Sequence, residues 1–268
     1  MGSDHTRLMA LFDAFCDAEP AAQRAELARL RAAADPLAEP LAAMLQADED
    51  TSALDHGIAV PGGPALPERY RLVDRIGQGG MGMVFRVLDA VLHRTVALKV
   101  VAHTAPEHVA RFLAEARVVA QLQHPGIVPV HDLGTLPDGH PFFTMPEIQG
   151  QTWAALLRQW RPEPAWRRDA VYVLRQVAQA VAFAHEQGVV HRDLKPANVM
   201  VGAHGEVVVL DWGLARPLPD TRLRAMEGRQ PTAAGMVMGT PGFMAPEQAL
   251  GAVDQVGKPS DVYALGAM

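Results

Sequence analysis

The residues that could do chemistry concentrate in two short runs. His191-Arg192-Asp193-Leu194-Lys195-Pro196-Ala197-Asn198 is followed, after the apolar run 207–210, by Asp211-Trp212-Gly213, so two carboxylates, a lysine and an amide fall within 21 residues. Two of these types are rare in the chain. Lys99, Lys195 and Lys258 are its only lysines among 24 basic residues, and Asn198 is its only asparagine. A carboxylate and an amide oxygen are hard donors of the kind Mg²⁺ accepts while keeping several waters, and phosphate oxygens can complete such a site. The second carboxylate can take the proton of a hydroxyl nucleophile.

A third lysine-bearing run lies upstream. Val96-Ala97-Leu98-Lys99-Val100 puts an ammonium inside an apolar strand, where a charge is costly without an anion. Phe112, Glu115 and Val119 are spaced by three and four, which places Glu115 on an apolar helix face and in equal need of a partner. Glu115 is the best-placed anion for Lys99, and phosphate oxygens are a second. The competing reading keeps the Lys99 stem packed and its head in water. Between the first two strands lies Gly77-Gln78-Gly79-Gly80-Met81-Gly82, whose glycines allow a tight turn and a close approach of main-chain N–H groups to phosphate. A dinucleotide fingerprint has to open a helix after its last glycine. Here the β-rich run Met83-Val84-Phe85-Arg86-Val87-Leu88 follows, so the loop reads as a hairpin tip.

The elements that must hold these residues follow from periodicity. Residues 70–76, 83–88 and 95–101 are short and rich in β-branched residues, as expected of an antiparallel meander, and after one helix 127–133 and 141–145 complete five strands. Beyond Gly150 the pattern turns helical, with Ala170, Leu174, Val177, Val181 and Ala184 on one face. Residues 199–210 read as a short hairpin. A strand-rich half thus precedes a helix-rich half, giving an α+β organisation.

The first 69 residues are different. They carry five basic against twelve acidic residues, whereas residues 70–268 carry nineteen against eighteen. Leu8, Leu11, Phe12 and Phe15, then Leu37, Leu41, Met44 and Leu45, keep helical spacing, so residues 1–50 read as an acidic helical leader with a solvated outer face. Residues 51–69, with Gly57, Pro61, Gly62, Gly63, Pro64 and Pro67, read as a linker. A single cysteine, Cys16, excludes an internal disulfide framework. The near-neutral balance beyond residue 69 argues against a nucleic-acid surface, and no run of apolar residues suits a membrane span. No secretory leader is visible. A cytoplasmic setting is expected.

Taken together, the Gly77–Gly82 loop, Val96-Ala97-Leu98-Lys99, Glu115, the 191–198 string, Asp211-Trp212-Gly213, Ala245-Pro246-Glu247 and Asp261-Val262-Tyr263-Ala264-Leu265-Gly266 resemble a protein kinase. The likeness is closest to the bacterial eukaryotic-like serine/threonine kinases. It covers residues 70–268 and implies a bilobal fold, with residues 70–148 as N-lobe and hinge and 149–268 as an incomplete, mainly helical C-lobe. It further implies ATP and Mg²⁺, with Mn²⁺ as a substitute, protein substrates with serine or threonine acceptors, and self-association for trans-autophosphorylation. By the same resemblance Lys99, held by Glu115, meets the α and β phosphates, under a roof of Ile76, Gly77, Gly79, Gly80 and Gly82. Asp193 orients the substrate hydroxyl, Lys195 steadies the transferring phosphate, and Asn198 and Asp211 hold the metal. Adenine lies between Val84 and Ala97 above and Met200 below, with Met145 behind it and the backbone of the Pro146-Glu147-Ile148 hinge at its edge.

Several positions depart from the family pattern. Trp212 stands where phenylalanine is usual, and its indole N–H needs a partner. Between Asp211 and Glu247 the only hydroxyl residues are Thr221, Thr232 and Thr240. Thr240 is expected to contact the catalytic loop and Thr232 to be an autophosphorylation site read by Arg192. The chain stops at Met268, inside the helix expected from about Ser260, so Glu247 is expected to lack its usual arginine partner and the isolated chain to be marginally stable and weakly active. The alternative reading is an inactive fragment or a nucleotide-binding pseudokinase acting as a regulatory module, which normally lacks a catalytic lysine or aspartate.

Overall fold

The computed structural model describes residues 2–15, 20–53, 64–79, 82–101, 105–159, 164–212, 215–218 and 239–268. Gly80, Gly213, Thr221 and Thr232 lie outside them.

The leader forms three helices, α1 (Gly2–Phe15), α2 (Pro20–Ala32) and α3 (Ala38–Ala53). Their apolar positions meet in one core of Leu8, Phe12, Leu30, Leu37, Leu41, Met44 and Leu45. The outward acids are not simply solvated. Asp35, Glu26 and Glu39 pair with Arg7, Arg29 and Arg31, surface contacts that add little stability.

Beyond Leu66 the chain enters an antiparallel sheet of β1 (Tyr70–Gly79), β2 (Gly82–Asp89), β3 (Arg94–Val101), β4 (Asp132–Thr135) and β5 (Pro141–Met145), in the order β1-β2-β3-β5-β4. Strand alternation sorts β3 by face. Val96, Leu98 and Val100 join Tyr70, Phe85, Val87 and Phe142 in one cluster, while Val101 joins Phe112, Ala116 and Phe143 beneath α4 (Pro106–Ala120). Lys99 shares parity with Ala97 and Val101 and therefore faces α4.

The sheet's outer corner is tied by charge. Arg69 meets Asp89 at 2.8 Å and Asp132 at 3.1 Å, and the Tyr70 hydroxyl donates to Asp132 at 3.0 Å. The Arg69 hydrogen bond, helped by the N–H groups of Val91 and Leu92, holds the buried Asp89 carboxyl down at about 2.

The fourth strand differs from expectation. It starts at Asp132, and Ile127 instead forms an isolated parallel bridge with Val209. The apolar run is interrupted by Pro129, and Ile127 is buried in the core of the second lobe. A proline cannot donate to a ladder, so the run connects the lobes and the strand begins after it.

In the second lobe β6 (Gly150–Thr152), α5 (Trp153–Arg158) and the long α6 (Pro164–Glu186) precede β7 (Val189–Val190). A 3₁₀ turn, Pro196–Asn198, leads into β8 (Val199–Gly202) and β9 (Val207–Val209), and β10 (Arg216–Pro217) pairs back with β7. Two short helices close the described chain, α7 (Pro246–Ala249) and α8 (Lys258–Ala267). Val173, Val177, Ala180, Val181 and Ala184 of α6 pack with Val118, Val119, Leu194, Val199 and Trp212, so one core carries both α6 and the loops beside it.

Candidate active site

A cleft of about 860 Å³ opens between the lobes. It is lined from the sheet by Ile76, Gly77, Gly82, Val84, Ala97 and Lys99, from α4 by Glu115, from the interlobe segment by Met145, Glu147 and Ile148, and from below by Met200 and Asp211. Asp193, Lys195 and Asn198, expected at the same site, do not line this cleft. Gly79 pairs with Gly82 at the hairpin end.

One of the loop glycines is demanded by the fold. A Cβ at Gly82 would lie 2.1 Å from the Val100 carbonyl oxygen, so only glycine lets β2 approach β3 there. Gly77 meets ordinary contacts at 3.7 Å or more.

Lys99 is buried and bonds Glu115 Oε1 at 2.8 Å and Asp211 Oδ1 at 3.3 Å. Burial alone would lower its pKa, but the two carboxylates outweigh that and raise it. Burial pushes the Glu115 carboxyl up against the pull of Lys99. For Asp211 burial acts upward but the Lys99 charge prevails and holds it down. Lys99 is therefore firmly charged at neutral pH, as is Asp211, whose side chain remains 44% exposed to the cleft.

The second cluster is built from loops. Thr240 donates to Asp193 Oδ1 at 2.7 Å and accepts from Lys195 at 2.6 Å, while Lys195 sits 3.1 Å from Asp193 Oδ2. Asn198 Nδ2 donates to the Asp193 carbonyl at 2.9 Å and to its Oδ2 at 3.2 Å. An ionised carboxylate offers about four lone-pair sites, so Oδ1 keeps one after Thr240 has bound. The Asn198 amide nitrogen is committed here, which turns its carbonyl oxygen into the group available to a cation. That oxygen and the half-exposed Asp211 carboxylate form a hard donor set that suits Mg²⁺. Among the described residues no cluster of three or more acidic, histidine or cysteine side chains offers a self-sufficient metal cage.

Both loops are held from behind. Asp261, at the start of α8, accepts the backbone N–H of His191 at 2.9 Å and of Arg192 at 2.8 Å, and meets His185 Nε2 at 2.7 Å. These bonds fix Arg192 at φ 73°, and Asp211 is likewise left-handed at φ 57°, conformations that cost energy outside glycine. His191 joins the two loops, since its Nε2 pairs with the Leu210 carbonyl at 3.1 Å and its ring packs tilted, 4.6 Å from that of Trp212. Trp212 is buried beside Val118 and Val119 of α4, and its indole N–H donates to the Val209 carbonyl. Glu247 accepts from the Ser260 hydroxyl at 2.5 Å, a neutral partner in place of the arginine.

Arg86 went unnoticed in the sequence reading. Its guanidinium grips both oxygens of Glu147 at 2.6–2.9 Å and Asp74 at 2.7 Å. It therefore ties the base of the β1–β2 hairpin to the interlobe segment along the cleft wall. The only signal available was a charged residue inside an apolar strand, the same signal that singled out Lys99.

The pattern that defines the protein kinase domain matches residues 70–268. This chain belongs to the protein kinase family. Kinases of several bacteria are similar to it, including the serine/threonine-protein kinase PknD of Protochlamydia amoebophila, 35% identical over 227 residues. The DNA damage-responsive serine/threonine-protein kinase RqkA of Deinococcus radiodurans is 41% identical over 215 residues, and serine/threonine-protein kinase PknA of Mycobacterium tuberculosis 39% over 213. These matches cover 76–77% of this chain but 23%, 30% and 47% of the respective relatives. The kinase fold, bilobal with a five-stranded N-lobe, is present as expected. Among the described residues no helix is long and apolar enough to cross a membrane.

Proposed function

We propose that this kinase transfers the γ-phosphate of ATP to serine or threonine hydroxyls of proteins. The observation that carries the reading is the pairing of two preassembled clusters, Lys99–Glu115–Asp211 in the cleft and Asp193–Lys195–Thr240–Asn198 beside it. Adenine fits between Val84 and Ala97 and the Met200 side of the cleft, with Met145 behind and the main chain of Glu147 and Ile148 at its edge. Lys99, kept charged by its two carboxylates, meets the α and β phosphates. Asn198 and Asp211 would hold Mg²⁺, which when bound neutralises phosphate charge and orients the polyphosphate.

In the transfer, the acceptor oxygen bonds to the γ phosphorus as the bond to the bridging oxygen breaks. The hydroxyl proton passes to the free lone pair of Asp193 Oδ1, and ADP departs with the electron pair. Lys195, already beside Asp193, offers its charge to the transferring group. Such a loose transition state needs positioning and charge neutralisation more than covalent chemistry. The names of the relatives support serine or threonine as acceptor. Trans-autophosphorylation between copies, with Thr232 as an acceptor, and a cytoplasmic setting belong to the same proposal.

The test is the intact mass of the purified chain before and after incubation with ATP and Mg²⁺, beside an Asp193→Asn variant. Steps of one phosphate in the unmodified chain alone are expected. A folded chain that binds nucleotide and gains no phosphate, on itself or on a general protein substrate, overturns the reading.

A further inference from the structure

The core of the leader does not close on itself. Met244 and Ala249, from the second lobe, are buried to 2% and 0% exposure inside the same cluster as Leu8, Phe12, Leu41 and Met44, and α1 packs against α7. A unit of about fifty residues has a small core and is marginally stable by itself. The leader completes its core by taking in a surface of the kinase lobe.

That surface belongs to the stretch that touches the catalytic loop. Thr240, four residues before Met244, holds Asp193 and Lys195. Gln248, next to Ala249, donates to the Arg192 carbonyl at 2.7 Å and accepts from the Ala245 N–H. At Gly239, φ 126°, an added Cβ would meet Arg192 O, the Gln248 amide and Met244 Cγ, each at 3.2 Å. Residues 239–250 therefore lie as a thin layer, with the leader's apolar face on one side and the catalytic loop on the other.

The leader covers neither opening. Among the described residues it lines no part of the 860 Å³ cleft, nor of the cavity of about 510 Å³ beside Lys195 and Thr240, which is walled by Leu157, Pro196, Ala197 and Phe243. It is placed to support rather than to plug.

We infer that the leader is an intramolecular brace, whose apolar face docks on Met244 and Ala249 and holds residues 239–250 in the posture that lets Thr240 engage Asp193 and Lys195. The leader is thereby a positioning element for the catalytic loop with no part in binding nucleotide.

The test compares the full chain with Leu8→Glu and the milder Leu8→Ala, both in α1. Hydrogen exchange of the 239–250 amides and calorimetric binding of a non-hydrolysable ATP analogue are measured on each. Exchange in 239–250 at least tenfold faster, graded from alanine to glutamate, with the sheet's protection kept and nucleotide Kd within twofold, is expected. Faster exchange of the leader with 239–250 unchanged overturns the brace. Loss of protection throughout the sheet in both variants overturns it as well, because a local brace leaves the sheet standing. A slower gain of phosphate in the variants is also expected; that arm and nucleotide binding rest on the proposed function, whereas exchange decides the brace whether or not the chain transfers phosphate.

Discussion

The two clusters at the cleft hold their charges by different means. Lys99, Glu115 and the strands around them are set by regular structure, since strand parity and helix periodicity together bring the ammonium to the carboxylate. Asp193, Lys195 and Thr240 stand on loops, and their geometry is borrowed from Asp261, Gln248 and Asn198 through a handful of hydrogen bonds. The regular region tolerates loss of one polar contact because its backbone stays put. The loop region has a few anchoring points, the left-handed Arg192 to restrain, and a steeper response to damage.

The contrast is broken most directly at Asp261. Asp261→Ala removes the acceptor of two buried N–H groups and the partner of His185, and should cost about 3–5 kcal/mol in urea denaturation. A loss under 1 kcal/mol would make the loop self-supporting. Next in size is Glu115→Gln, which keeps the shape of the side chain and an acceptor oxygen but removes its charge, leaving Asp211 at 3.3 Å as the carboxylate partner of Lys99. About 2 kcal/mol of stability should go, nucleotide affinity should weaken, and hydrogen exchange in residues 239–250 should stay as in the parent chain. Faster exchange there would show the two clusters to be one unit.

The smallest effect concerns the outer corner of the sheet, distant from both clusters. The Asp89 carboxyl sits at about 2 when folded against an ordinary 3.8, so its stabilisation is complete above about pH 4 and is lost as the pH falls toward 2. Asp89→Asn should flatten the stability-against-pH curve in that window and lower it by a constant amount above about pH 5, where the parent's stabilisation is fully present. An equally steep acid transition in the variant would assign the loss to other carboxylates.

Legibility in the sequence follows the same division. A lysine in an apolar strand and a glutamate on an apolar helix face announced each other because burial of a charge demands a partner. The 191–198 run was legible through residue type, and Asp261 only as part of a motif, since nothing in its spacing says that it accepts loop N–H groups seventy residues away. The apolar run before β4 misled because period alone does not tell a strand from a packed connection; Pro129 carried the missing information. The docking of Leu8 near Met244 was invisible, because an apolar helix face states that it must be covered without stating by what. Arg86 was missed for lack of the rule applied to Lys99, although its partner Glu147 lies 61 residues away.

Trp212 turns an anchoring contact into an optical signal. Its indole lies next to Asp211, within 4.6 Å of the His191 ring and shut away from solvent. With Trp153, Trp160 and Trp166 replaced by phenylalanine, emission from this one side chain would follow the junction of the two loops without any attached dye. A red shift would register water entering behind Asp211.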